Sequence, residues 1–197
     1  MAVKIVRVLN TNAVVSSDQE GRELIITGAG IGFKKKKGEN LDEALADKTY
    51  YLESVDDSRR LQEVVKEISE EYLEIVSRIV KTAREEGLKV RDSLYVTLTD
   101  HINSAVDRYR ENIALKNMMK LEIRKFYPKE YEIGLRAVQW IQEQNDENLG
   151  EDEAAFIAMH IVSAELGSGS NVDVNKITKL INAVPDSYTH LRAHETG

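Results

Sequence analysis

The sequence predicts an α+β chain in which a small antiparallel β-sheet is followed by an all-α bundle of five helices. Residues 1–54 contain short runs of alternating apolar and polar side chains between turn-forming residues, which is typical of strands. From residue 57 onward, apolar side chains recur at three- and four-residue spacing, which is typical of amphipathic helices. The change of period near residue 56 therefore predicts a domain boundary.

Four β-rich segments are expected in the first domain. They are KIVRVLN (4–10), NAVVSS (12–17), ELIIT (23–27) and KTYYLES (48–54). Between the last two, GAGIGF (28–33) places three glycines in six residues, which indicates tight backbone geometry. A domain of about 55 residues has only a marginal core. Because pairing with a second copy would close its sheet edges, we expect a homodimer.

Five helices with mostly short connections are expected in the second part, arranged as an antiparallel bundle. Their expected ranges are Asp57 to near Gly87, about Asp92 to Val106, roughly 115–126, Lys129 to about Gln144, and Glu151 to Leu166. The tail differs: GSGSN (167–171) is linker-like. Residues 185–197 show no period and are typical of adapter-derived sequence, so no functional role is expected for His190 or His194.

Composition excludes several classes of protein. The chain has no cysteine, which rules out disulfides, thiolate metal sites and cysteine nucleophiles. No apolar run approaches the roughly 20 residues that span a bilayer, and the N-terminus lacks a secretion signal. We therefore expect a cytoplasmic protein without membrane insertion. No dinucleotide fingerprint, P-loop or G-x-S-x-G motif occurs, so an enzyme is not predicted.

Charge is distributed unevenly along the chain. Residues 1–38 hold seven basic against three acidic residues, a balance of +4, while residues 39–197 carry −11. A basic head on an acidic body favours a polyanionic partner for the head alone. The simpler alternative is that Lys34 to Lys37 form a solvated loop.

Asn10, Thr11 and Asn12 offer amide groups suited to base edges. Phe33 could stack on an unpaired base while the neighbouring lysines hold phosphate, and the domain offers no helix to read a major groove. RNA is therefore favoured over duplex DNA. The alternative is a turn built from Asn and Gly with Phe33 in the core.

Two near-identical stretches, HINSA (101–105) and HIVSA (160–164), lie on different predicted helices. A bundle di-iron site would need Glu three residues before each histidine, but Leu98 and Ile157 stand there, so no metal or other cofactor is predicted. The remaining interpretations are two partly buried core histidines, a helical enzyme that uses both, or two acceptors of a phosphoryl group.

Two sets of motifs resemble one known family. KIVRVLNTNAV, GREL, GAGIGFKKKKG and LDEA are similar to the co-antiterminator RNA-binding domain of BglG/SacY-type transcriptional antiterminators. SLYVTLTDHINSAVDR and EDEAAFIAMHIVSAEL are similar to the two histidine segments of the phosphotransferase-system regulation domain that follows it. The resemblance spans about residues 3–167 in order.

The resemblance implies a sugar-responsive antiterminator that binds a hairpin in nascent leader mRNA, prevents terminator formation and acts as a homodimer. Its implied partners are also a phosphotransferase-system sugar permease and a phosphocarrier protein. The implied RNA contacts are Arg7, Asn10, Asn12, Gly28 and Phe33, and the implied phosphoacceptors are His101 and His160. The other interpretation is a helical interaction module whose β head binds protein or a non-specific polyanion.

The implied domains are an RNA-binding domain over 1–56 and a first regulation domain over 57–170. Residues 171–184 would begin a truncated second regulation domain, so we expect RNA binding with truncated or constitutive regulation. Ala29 departs from the family, whose members often carry Arg or Lys between the two glycines. That departure removes one cation from the implied RNA face.

Overall fold

A computed structural model describes residues 3–167 of the chain, and the predicted segments after Gly167 lie outside that range. Four strands form one antiparallel sheet in the order β1-β2-β3-β4. The strands are β1 (Ile5–Asn10), β2 (Ala13–Ser17), β3 (Glu23–Thr27) and β4 (Lys48–Tyr50). The helices are α1 (Val55–Glu67), α2 (Glu70–Glu85), α3 (Ser93–Arg110), α4 (Lys120–Phe126), α5 (Pro128–Asn145) and α6 (Gly150–Leu166). The predicted α+β class is confirmed.

The described residues divide into two compact units. Unit 1 comprises residues 3–82 and 91–112, and unit 2 comprises residues 83–90 and 113–167. Unit 1 thus contains the sheet, the whole of α1 and α3, and most of α2. Unit 2 contains α4, α5 and α6.

Both faces of the sheet are covered within unit 1. On one face, Ile5, Val14 and Ile26 pack with Ile31 and Leu41 of the long β3–β4 connection. On the other face, strand residues form a core with side chains of α1 and α2. That second core consists of Leu9, Ala13, Val15, Ile25, Tyr50, Leu52, Leu61, Val65 and Leu73. The alternation of inward and outward side chains along the strands places one apolar set on each face.

The long helix predicted from Asp57 to Gly87 is two helices, so the prediction of five helices is wrong and the count among described residues is six. Ile68 adopts extended backbone angles, φ −105° and ψ 144°, and ends α1. The apolar spacing continues across the break, which is why it suggested one helix. The sequence nevertheless contained a signal, since Ser69 followed by Glu70 and Glu71 is a typical helix start.

Unit 2 is built on the packing of α5 against α6. Both helices bury small and branched side chains, among them Ile133, Ala137 and Ile141 on α5 and Ile157 and Ile161 on α6. The third predicted helix, 115–126, begins later, at Lys120. None of the helices within residues 3–167 has the length and apolar character needed to cross a membrane.

Candidate nucleic-acid interface and histidine sites

The turn between β1 and β2 is held by its own asparagine side chains. The backbone N–H of Asn12 donates to Oδ1 of Asn10 at 2.8 Å, which closes a local turn around Thr11. Oδ1 of Asn12 in turn accepts the backbone N–H of Gly30 at 2.9 Å. Asn12 therefore joins the turn to the glycine-rich segment, and Asn10 holds Asn12 in place.

Backbone hydrogen bonds complete this junction. Gly28 N–H donates to the Asn12 carbonyl at 3.0 Å, and Gly32 N–H donates to the Thr11 carbonyl at 2.9 Å. A Cβ on Gly28 would lie 1.7 Å from the Leu45 carbonyl oxygen, and one on Gly32 would lie 2.2 Å from that of Asn10. Any side chain at these positions would push the segments apart, so the glycines permit the close approach.

Phe33 ends the glycine-rich segment with 59% of its surface exposed, so the alternative that placed it in the core is wrong. Lys34 adopts a left-handed backbone conformation, φ 55°, and its Nζ lies 5.2 Å from the centre of the Phe33 ring. Lys36 and Lys37 are exposed and Lys35 is half-buried. An exposed ring beside four cations offers a stacking surface with adjacent phosphate contacts.

Arg7 is exposed on β1 and forms an ion pair with Glu23 of β3. The other carboxylate oxygen of Glu23 accepts a hydrogen bond from Nε2 of Gln62 on α1 at 2.7 Å. Nδ2 of Asn10 donates to the backbone carbonyl of Val65, one turn further along α1, at 2.8 Å. Sequence reasoning missed these three partners, because their spacing in the chain gives no hint that α1 meets β1.

The structure thus brings together four of the five residues predicted to contact RNA. Asn10, Asn12 and Gly28 belong to one hydrogen-bonded junction, and Phe33 follows Gly32 of that junction directly. Arg7 lies three residues before Asn10 on β1 and is held by its own ion pair. Gly28 itself is buried, whereas the adjacent Ala29 is exposed.

A cluster of polar groups lies beneath the end of β3, around Thr27. Burial raises the pKa of the Tyr50 hydroxyl, with the Tyr95 ring 6.1 Å away in an edge-to-face arrangement. Desolvation also raises the pKa of the Glu70 carboxyl, which lies near Thr27 at the start of α2. These groups share the sheet face that carries α1 and α2.

His101 lies on α3 and is half-buried, between buried Leu98 and Ile102 and beside exposed Asp100. His160 lies on α6 and is also half-buried, with Met159 39% exposed before it and Ile161 buried after it. His101 belongs to unit 1 and His160 to unit 2. Each histidine is therefore at the border of its helix's buried face, as the sequence spacing predicted.

Hydrogen bonds hold the segment before α4 against α6, close to His160. Backbone N–H of Asn117 donates to Oδ1 of Asp152 at 3.1 Å, and its Nδ2 lies 3.4 Å from the sulfur of Met159. Lys120 adds an ion pair with Asp152 at 3.5 Å. No cluster of acidic and histidine side chains suited to a metal ion occurs within residues 3–167.

A small sheet with an exposed basic and aromatic edge, followed by helices with two matched histidines, is the two-part arrangement of proteins that join a CAT domain to a PRD domain. The CAT RNA binding domain family matches residues 3–59, and the PRD domain family matches residues 62–164. The chain belongs to this family of CAT and PRD domain proteins.

Similar proteins are named as antiterminators. The chain is 36% identical over 183 residues to the Beta-glucoside operon antiterminator of Dickeya chrysanthemi and, over the same length, to Transcription antiterminator LicT of Bacillus subtilis. Each alignment covers 92% of this chain but only 64% and 66% of the two relatives. The crystal structure of GlcT CAT-PRDI is similar with a TM-score of 0.68 and 27% identity, covering 84% of this chain and 99% of that one.

Proposed function

We propose that this protein is a sugar-responsive transcriptional antiterminator, which binds a hairpin in a nascent leader transcript and so prevents a terminator from forming. The observation that carries the proposal is the junction of Asn10, Asn12 and the glycine-rich segment, with exposed Phe33 and the lysine run directly after it. Two relatives over most of this chain are named antiterminators, which supports the same activity.

Each predicted contact has a distinct chemical role in the proposal. Phe33 stacks on an unpaired base, and Lys34 to Lys37 meet phosphates. Because Oδ1 of Asn12 is occupied by Gly30 N–H, Asn12 offers RNA its Nδ2 group as a donor. Arg7 supplies a further cation once it leaves Glu23, and Gly28 acts through the backbone geometry it allows.

Regulation is proposed to act through phosphorylation of His101 and His160 by phosphotransferase-system proteins. A phosphohistidine of the phosphocarrier protein or sugar permease would transfer its phosphoryl group to an imidazole nitrogen here. The donor N–P bond breaks as the new N–P bond forms, and the donor regains a neutral imidazole. The mark adds roughly −1.5 to −2 charges at a half-buried helix border, enough to shift packing there.

The same proposal includes a homodimer and the domain division at residue 56. The RNA-binding domain would span 1–56 and the first regulation domain 57–170, close to the two matched segments. A protein of this kind works on a transcript in the cytoplasm and regulates without catalysing a reaction of its own.

Binding of RNA is tested by titrating the whole chain with a bulged leader-type hairpin and a fully paired hairpin at two salt concentrations. We expect preference for the bulged hairpin and weaker binding at high salt, since phosphate contacts release counterions. Phe33→Ala should weaken binding by roughly 5- to 150-fold, which corresponds to about 1–3 kcal/mol of stacking.

Tyr109→Ala is the matched control, because it removes an aromatic ring of 42% exposure from α3, outside the turn. It should leave RNA binding unchanged. Equal affinity for both hairpins would reduce the head to a non-specific polyanion surface. Absence of binding would favour the interaction-module interpretation, in which the head binds protein.

The phosphoacceptors are tested in a chain with fewer histidines. The protein contains four histidines, so His190→Asn with His194→Asn leaves His101 and His160 alone. Acid-labile phosphate transferred from a phosphorylated carrier protein should persist in that variant and vanish when His101→Asn and His160→Asn are added. Labelling that survives all four substitutions would contradict the proposal.

A further inference from the structure

Helix α1 covers the sheet face that contains Leu9, Ala13 and Val15. Leu61 and Val65, one turn apart on α1, are fully or almost fully buried in the core with these strand residues. The N-cap of this helix, Ser54, lies four residues after β4, and its hydroxyl accepts the Asp57 N–H at 3.2 Å. The short connection to β4 and the N-cap together restrict where α1 can lie on the sheet.

The same side of α1 contacts Asn10 directly and is linked to Arg7 through Glu23 of β3, and both Asn10 and Arg7 are proposed to contact RNA. Gln62 reaches Arg7 through Glu23, and the Val65 carbonyl accepts Nδ2 of Asn10. Positions 62 and 65 are three apart and so lie on one face of the helix. These two polar contacts flank the apolar contact of Leu61 and Val65 with the sheet.

Irregular strand pairing explains why Arg7 and Asn10 both turn toward this side. The pairing of β1 with β2 shifts register between Ile5 and Arg7 and again between Val8 and Asn10. Such shifts change which face a side chain occupies and often re-aim residues at functional sites. Without them, residues 7 and 10 would lie on opposite faces of the sheet.

The groups that occupy Arg7 and Asn10 resemble what RNA would offer. The Glu23 carboxylate is an anion held against a guanidinium, as a phosphate would be. The Val65 carbonyl is a neutral acceptor on an amide donor, as a base carbonyl would be. Protein groups therefore satisfy these two side chains before any RNA arrives.

We infer that helix α1, together with the Glu23 carboxylate that its Gln62 holds, competes with RNA for Asn10 and Arg7, so that Glu23 and Gln62 set the affinity of the RNA-binding surface. This inference rests on the proposed function and deepens it. RNA that engages both residues draws Arg7 from Glu23 and Asn10 from Val65, which loosens α1. Gln62 and Glu23 are positioning residues in this scheme, because they act through Arg7 and need not touch RNA.

The arrangement also offers a route for regulation inside unit 1. Helix α3, which contains His101, packs against α1. A phosphoryl group on α3 that shifts this packing would change how firmly α1 holds the sheet. RNA affinity would then respond to a mark that makes no contact with RNA.

The direct test is hydrogen exchange in the whole chain, with and without saturating bulged hairpin. Competition predicts faster exchange in peptides covering residues 55–67 when RNA is bound, while peptides from α5 stay unchanged. A helix that only supports the sheet would show unchanged or slower exchange in the complex. That result, with RNA binding intact, would overturn the inference and leave the proposed function standing.

Two substitutions test the positioning residues by titration. Gln62→Ala should tighten RNA binding by roughly 2- to 10-fold, the value of a typical hydrogen bond. Glu23→Gln should also tighten binding by a similar factor, because Arg7 then meets RNA without first leaving a carboxylate. A merely structural role for either residue would weaken binding instead.

Each substitution has a matched control. Glu20→Gln removes an acid from the same hairpin, but Glu20 pairs with Arg22 at 3.2 Å rather than with Arg7. Gln139→Ala removes a helical Gln–Glu hydrogen bond of 2.9 Å on α5. If the controls tighten binding as much as Glu23→Gln and Gln62→Ala, the inference fails. If neither wild type nor any variant binds the hairpin, both the inference and the proposed function fail.

Discussion

The β1–β2 turn and the interior of α5 and α6 are stabilised by different forces. At the turn, three backbone N–H groups of the glycine-rich segment donate to oxygens of Thr11 and Asn12, and Asn10 accepts from the Asn12 N–H, through directional bonds of 2.8–3.0 Å. Between the helices, fully buried apolar side chains such as Ile133 and Ile157 fill the space. Directional bonds fix where atoms point, whereas apolar packing mainly fixes how much free energy is gained.

This difference teaches where function and stability can be separated. Changes at the turn should alter RNA binding more than unfolding, because few bonds are involved and much of the surface is exposed. Changes in the interior of unit 2 should alter unfolding without touching the RNA contacts. A substitution in the interior of unit 2 that changes hairpin affinity as much as stability would contradict this division.

The largest expected effect is on stability, from Ile133→Ala in α5. Ile133 is completely buried, so its truncation should lower the free energy of unfolding by about 2–5 kcal/mol through lost burial and a cavity. Affinity for the bulged hairpin, measured at a temperature where the variant is folded, should stay at the wild-type value.

Leu121→Ala serves as its control, because Leu121 is 72% exposed on α4 and its truncation should cost little. Chemical denaturation gives the stability and titration gives the affinity. An affinity that falls in step with stability would show that the RNA surface depends on the interior of unit 2.

The second-largest effect is expected at Asn12, where two substitutions separate its role in holding Gly30 from its proposed role as a donor to RNA. Asn12→Ala removes the acceptor for Gly30 N–H and should lower both stability and RNA affinity, each by about 1–3 kcal/mol. Asn12→Asp keeps an oxygen for Gly30 but removes the donor and adds a negative charge. It should lower RNA affinity at least as much while stability stays near wild type.

Denaturation and hairpin titration of both variants distinguish these outcomes. If Asn12→Asp bound RNA like wild type, the Nδ2 group would have no role in recognition. Asn12 would then act only by holding the glycine-rich segment.

The strands and the residues proposed to contact RNA could be predicted from the sequence, but the break after α1 and the partners of those residues could not. The alternation of apolar residues predicted the four strands, because burial on each sheet face requires that period. The break after α1 was missed, because Ile68 continues the apolar spacing and only Ser69 signals a new start. The resemblance named Asn10 and Arg7 as RNA contacts. Their hold on Val65 and Glu23 depends on register shifts in β1 and on tertiary packing, which no local pattern encodes.

Ala29→Lys gives a smaller effect, confined to RNA affinity. Ala29 is exposed beside Gly28 and Gly30, so a cation there is accommodated without displacing a buried group. One added phosphate contact should tighten hairpin binding at low salt and steepen the salt slope by about 0.7–0.9. Ala114→Lys, at an exposed position in unit 2, adds the same charge elsewhere and should change neither. Equal tightening by both would mean that net charge alone matters.

The smallest expected effect is the dependence of stability on pH that Glu70 causes at the start of α2. Desolvation raises the pKa of the Glu70 carboxyl above its ordinary value of 4.5, so the folded chain binds this proton more readily than the unfolded chain. Stability from this group is therefore greatest below pH 4.5 and falls as the pH rises through the folded-state pKa. Glu70→Gln removes that loss, so its stability relative to wild type should increase between pH 4 and pH 7.

Glu71→Gln controls for the charge at the first turn of α2, since Glu71 shares the helix start but is exposed. Thermal unfolding of the three proteins across this pH range gives the comparison. If stability relative to wild type rises with pH in Glu70→Gln but not in Glu71→Gln, the loss of stability comes from the burial of the Glu70 carboxylate near Thr27. Parallel pH profiles would instead assign this loss of stability to the charge at the helix terminus. The end of β3 would then contribute only apolar packing to the sheet face that α1 covers.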